Sequence, residues 1–234
     1  MDFNSRIILD AASIEREQAS FITKVYTWMT VALVITAFVA MFTASSPFML
    51  NLIFSSRIVF WGLVLGQLGM VVYLSSAIGR MSANTATIVF LLYSVVTGLV
   101  LSSIFVIFTA ASIASTFFVT AGTFGAMSMY GYFTKRDLTK LGSLLVMALI
   151  GLVIASIVNW FWANSTLYWI TTYAGILIFV GLIAYDTQKI KAMNVIGNEG
   201  TDEDRKEAIM GALTLYLDFI NLFLYLLRLL GSKK

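Results

Sequence analysis

Apolar residues fill seven long stretches of this chain, and polar residues collect in the short intervals between them. A helix needs about 20 apolar residues to cross a bilayer core. Val25–Ala44, Ile58–Ile78, Thr85–Phe108, Ala111–Phe133, Leu141–Phe161, Leu167–Tyr185 and Ala208–Leu227 meet that requirement. The third and fourth are joined only around Thr109–Ala110, which predicts a tight helical hairpin. The other connections are short, and the longest, Thr187–Glu207, is too small to hold a domain. The pattern predicts one all-α integral membrane domain over residues 25–228, between a tail of residues 1–24 and a short basic tail of residues 229–234. Ile7, Ile8, Ala11, Ala12 and Ile14 recur at helical spacing in the first tail, which suits a short interfacial helix. Acidic residues stand among the bases there and no apolar run follows a basic start, so the tail does not read as a signal peptide.

Composition agrees with a membrane protein. The chain is 59% hydrophobic and 12% charged, against about 25% charged in soluble domains. It has no cysteine and no histidine. Thiolate metal sites, Ser-His-Asp hydrolysis and His-based zinc proteolysis are therefore excluded on residue types alone. The net charge of +3 comes from bases that cap apolar runs, which is no signature of nucleic-acid binding. Trp28, Trp61, Trp160, Trp162 and Trp169 each fall near a predicted span end, where indole rings favour the interface. Gly62 and Gly66 form a GxxxG, and Gly122, Gly125 and Gly131 crowd the fourth span, which predicts close backbone packing. Eleven Lys and Arg fall on the side of the N-terminus and four on the other. The positive-inside rule then predicts a cytoplasmic N-terminus and, with seven spans, an external C-terminus. The basic last residues weigh against this, and a re-entrant last segment would put both ends in the cytoplasm.

Two aspartates carry the candidate chemistry. Asp218 lies near the middle of Ala208–Leu227, a stretch with no other charge. An ionised carboxylate at a bilayer centre costs roughly 2.5–3.5 kcal/mol on insertion scales, so it faces a protein interior or a watery cavity. Gly211, Thr214, Asp218, Asn221, Tyr225 and Arg228 recur at spacings of three and four, which places them in one polar stripe. That stripe belongs inward, as part of an ion or proton pathway or as polar glue between helices. Asp186 closes the sixth span in Ala184-Tyr185-Asp186-Thr187-Gln188-Lys189, where it suits a buried pair or a helix-end carboxylate beside Lys189. Arg80, entering the third span, lies on the same predicted side as Asp186 and is a candidate ion-pair partner. Two carboxylates brought together do not both ionise easily and titrate as a unit. Their oxygens suit Ca²⁺, although two carboxylates alone fall short of its usual 6–8 ligands.

At these residues the chain resembles a known family. Gly211-Ala-Leu-Thr-Leu-Tyr-Leu-Asp218-Phe-Ile-Asn-Leu-Phe223, followed by Leu226-Leu-Arg228, is similar to the C-terminal signature of the Bax-inhibitor family. Phe179-Val-Gly-Leu-Ile-Ala-Tyr-Asp186-Thr-Gln-Lys-Ile190 resembles its preceding signature. Similarity extends over nearly the whole chain, including Thr97-Gly98-Leu99 and Thr134-Lys-Arg-Asp-Leu138, and the short loops resemble bacterial members. The resemblance implies seven helices with the last at the centre of the other six. It further implies a pH-sensitive calcium leak in the inner (plasma) membrane, with Asp186 and Asp218 as sensor. Arg80 falls where the family can pair an arginine with the first aspartate, though Ile78-Gly79-Arg80-Met81 is less basic than in some relatives. Ca²⁺ and protons are the implied species, with no cofactor. A monomer suits a last helix wrapped by its own chain. A non-conducting regulator of other membrane proteins is the alternative. An intramembrane aspartyl protease would need Gly-x-Gly-Asp and Pro-Ala-Leu, both missing, so an enzyme is not expected.

Overall fold

A computed structural model describes residues 11–234. The helices are α1 (Ala11–Ser45), α2 (Pro47–Phe54), α3 (Arg57–Ala77), α4 (Ala83–Leu101), α5 (Ser103–Ile107), α6 (Ala110–Phe133), α7 (Thr139–Trp162), α8 (Ser165–Met193) and α9 (Asp202–Leu230). A 3₁₀ turn, Ile78–Arg80, follows α3. Seven helical stretches are long and apolar enough to cross a membrane, with α4 and α5 together making the third. No strand is present among the described residues.

Starts are marked by side chains that accept from otherwise unpaired amides. Ser46, Ser56, Ser82, Thr109, Asn164 and Thr201 cap α2, α3, α4, α6, α8 and α9 in this way. α7 has no side-chain cap at Leu138. There the carboxylate of Asp137 accepts from the Thr139 amide, and the Gln188 side chain of α8 accepts from the Leu138 amide.

Three boundaries differ from the hydropathy pattern. α1 is already helical at Ala11 and runs unbroken into the first span, with Phe21 and Val25 buried. Residues 1–10, including Ile7 and Ile8, lie outside the described residues. α8 continues eight residues past Tyr185, so most of the expected long loop is helix and only residues 194–201 connect α8 to α9. The third difference is α2, a short helix between the first two spans that span-length apolarity did not predict.

Crossings alternate, so one face of the bundle carries the start of α1, the α3–α4 turn and residues 134–138 and 194–201. The other carries α2, residues 108–109 and 163–164 and the last residues. α9 is the most buried span. Its principal neighbours are α1, α4, α6 and α8, while α3 packs on α4 and α7 on α8. The α1–α4–α9 side is knitted by buried polar groups: Tyr216 donates to the Thr36 hydroxyl (2.7 Å), which donates to the Ser94 carbonyl (2.9 Å). Gln67 of α3 reaches the Thr97 hydroxyl at 2.8 Å.

Candidate functional site: an aspartyl pair between α8 and α9

α8 and α9 run antiparallel, and glycines set how closely they lie. A Cβ at Gly175 would meet the Tyr225 ring at 2.6 Å, and one at Gly211 would meet Ile190 at 3.0 Å. Asp186 and Asp218 fall between these two contacts. Their carboxyl groups lie close enough for each to act directly on the other. Asp218 is only 4% exposed, and its Oδ2 has no other partner. Asp186 is half-buried and sits inside α8 rather than at its end. On the α6 side the seam is tight as well. A Cβ at Gly131 would overlap the carbonyl oxygen of Ala184, and the Thr187 hydroxyl reaches that of Ser128 at 3.5 Å.

The remaining stripe residues are placed one by one. Thr214 donates to Met210 and Asn221 to Leu217, both back along their own helix. Asn221 and Tyr225 line a crevice of about 280 Å³ against α7. Tyr225 stacks on Phe179. Arg228 lies over the rings of Tyr168 and Tyr225, at 5.0 and 5.1 Å.

Arg80 is a correction. It is exposed in the 3₁₀ turn and makes no ion pair with Asp186 among the described residues. The turn before it shares a crevice with Met193 at the end of α8 and with Glu203 and Met210 of α9, seven residues along α8 from Asp186. The cation acting on Asp186 is Lys189, one turn further along α8.

One polar cluster escaped the sequence. Asp204, 1% exposed, accepts from Lys24 at 2.8 Å and from the Gly200 amide at 2.9 Å. Ser20 bonds Glu199, and Glu17 accepts from the Gly197 amide, so α1 clamps the α8–α9 connection. The partners are some 180 residues apart, and no local spacing signals such contacts.

Residues 18–234 match the family described as "Inhibitor of apoptosis-promoting Bax1". The chain belongs to this Bax inhibitor family. It is 55% identical to the "Inner membrane protein YbhL" of Escherichia coli K12 over 92% of each chain. An uncharacterized protein of Borreliella burgdorferi is 47% identical, also over 92% of each. Another, of Caulobacter vibrioides, is 38% identical over 95% of this chain and 92% of its own length.

Proposed function

We propose that this Bax inhibitor family protein is a pH-sensitive cation leak of the bacterial inner membrane, with Ca²⁺ as the ion carried and Asp186–Asp218 as its proton-sensitive gate. The observation that supports this reading is the facing of two carboxyl groups across a buried helix seam, with Oδ2 of Asp218 left unpartnered. One proton between them makes a hydrogen-bonded pair. Its loss leaves two like charges in a poorly solvated site, which titrates as a unit. Repulsion is then relieved by parting α8 from α9 or by admitting a cation. Two carboxylates offer fewer oxygens than the 6–8 that Ca²⁺ takes, and no cluster of three metal-binding side chains occurs among the described residues. Such a site suits an ion in passage better than one in storage. The count of basic residues supports an orientation with the α1-start face in the cytoplasm. We read the chain as a non-enzyme.

The test is Ca²⁺ entry into liposomes that hold only this protein, followed across the neutral pH range. Asp218→Asn keeps the shape and removes the titrating group. We expect a pH-dependent flux whose pH dependence is lost in Asp218→Asn and altered in Asp186→Asn. Unchanged profiles in both variants would refute the gate. No flux above empty liposomes would point to a non-conducting regulator instead.

A further inference from the structure

The four helices around α9 do not close evenly. Between α1 and α6 an apolar groove of about 440 Å³ runs from Ala37 and Met41 to Ala114 and Phe118, with Phe219 and Phe223 of α9 as its floor. Its one hydroxyl, that of Thr36, is already bonded to Ser94 and Tyr216. From Ala110 to Phe118 the groove follows α6 for about 12 Å. It lies wholly within helices long and apolar enough to cross a membrane, so a bilayer presents lipid to it rather than water.

One end of the groove is charged. Phe105 and Ala110 line it there, and the last residues of the chain are pinned beside them. The Thr109 amide donates to the Ser232 carbonyl and the Lys234 amide to the Ile107 carbonyl, each at 3.0 Å. Lys234 Nζ donates to the Phe105 carbonyl at 2.7 Å. That bond uses one of the three donors of an ammonium. Lys233, held between the two backbone bonds, is exposed. These two lysines are half of the four Lys and Arg on this side of the protein, the side where the positive-inside rule expects few. Their backbone is fixed beside one end of an acyl-sized groove, with the Lys234 ammonium on the Phe105 carbonyl.

We infer that this seam is a binding site for one anionic phospholipid, with an acyl chain lying in the α1–α6 groove against α9 and the headgroup phosphate on Lys233 and Lys234. The ligand's two halves match the two chemistries on the protein: hydrocarbon for the groove and phosphate oxygens for the two neighbouring lysines. The chain's tip would touch Phe219, the residue next to Asp218.

Native mass spectrometry of the full-length protein, released from detergent with equal amounts of phosphatidylglycerol and phosphatidylcholine, tests this. One phosphatidylglycerol should be retained per chain in preference to phosphatidylcholine. The double variant Lys233→Gln/Lys234→Gln, altered only at exposed positions, should retain it about 30-fold less well, from about 1 kcal/mol per lysine near a lipid surface. Ala114→Trp, or Ala37→Trp should the first misfold, fills the groove from an exposed position and should expel the lipid. Equal retention of the two lipids, retention unmoved by the lysine changes, or retention surviving the tryptophan would overturn the proposal. A second copy of the chain found in the groove in place of lipid would overturn it too.

Discussion

Gly131→Ala tests the packing that frames the aspartyl pair. A methyl group at this position would overlap the carbonyl oxygen of Ala184 and lie 3.0 Å from its Cα. Both obstructing atoms are backbone, so no side chain can swing aside and α6 must move off α8. Overpacking of this kind costs about 1–3 kcal/mol, and a rigid obstacle argues for the upper half of that range. Alanine's better helix propensity offsets about 0.8–1 kcal/mol. The net loss is then about 1–2 kcal/mol, or about 2–8 °C in Tm for a chain of this size. Gly122→Ala on the same helix is the control, because nothing lies within 4 Å of a Cβ there. Only the propensity gain remains, worth about 2–4 °C upward. Both variants are melted in one detergent and followed by intrinsic fluorescence, so micelle effects cancel. A Gly131→Ala protein that melts at or above wild type would show that the α6–α8 approach is looser than described. Asp186 lies two residues beyond Ala184, so the same variant should also shift the pH profile of any flux.

Two further predictions concern the α1-start face. Lys24→Met leaves Asp204 buried with the Gly200 amide but without its cation. Breaking a fully buried pair costs about 3–5 kcal/mol. The Lys24 side chain is a third exposed, so screening reduces this to about 1–3 kcal/mol. A double-mutant cycle with Asp204→Asn reads the coupling directly, and a value near zero would leave the clamp to its neutral hydrogen bonds. Asp137 offers a pH signature: hydrogen bonds from the Thr139 side chain and amide hold its carboxyl below the usual range. Its folded value lies below its unfolded one, so its stabilising effect is present above the unfolded value and fades as pH falls through the folded one. The Thr139 amide shift in NMR should follow that titration with a midpoint under about 3.9. A midpoint at or above that value, or a step that persists in Asp137→Asn, would refute the capping role.

The seven spans were legible because burial in lipid demands about 20 apolar residues wherever the chain crosses. Asp218 was legible for the complementary reason, a single carboxylate in an otherwise uncharged run. The place of Asp186 was misjudged by the same logic. Hydropathy falls at Tyr185-Asp186-Thr187-Gln188-Lys189, yet no proline or glycine there stops a helix, and α8 continues to Met193. The GxxxG of Gly62 and Gly66 misled in the other direction. No atom approaches either position, because α3 is the least buried span and turns them outward. Gly131, Gly175 and Gly211 bring helices together, and nothing in their spacing sets them apart from Gly122 or Gly125. The Arg80 pairing failed because sharing a membrane face does not set depth: its turn lies beside Met193, seven residues past Asp186 on α8.

Tyr216 and Asp218 stand two residues apart on α9, both nearly inaccessible to solvent, and the contrast between them separates support from function. Buried polar groups are normally hydrogen-bonded, and an unpaired one calls for an explanation. Tyr216 obeys, with its proton on Thr36 and that of Thr36 on Ser94. This arrangement gains nothing from water or an ion. Asp218, on the α8 side, leaves one oxygen unsatisfied beside another carboxyl group. Any motion that admitted water or a cation to that oxygen would lower its energy, whereas parting α9 from α1 and α4 would break satisfied bonds. If α9 yields anywhere, it yields toward α8. Helix separation between α8 and α9, measured by paired spin labels as pH is changed, should therefore move while that between α1 and α9 stays fixed. The reverse pattern would place the working seam on the other side of α9.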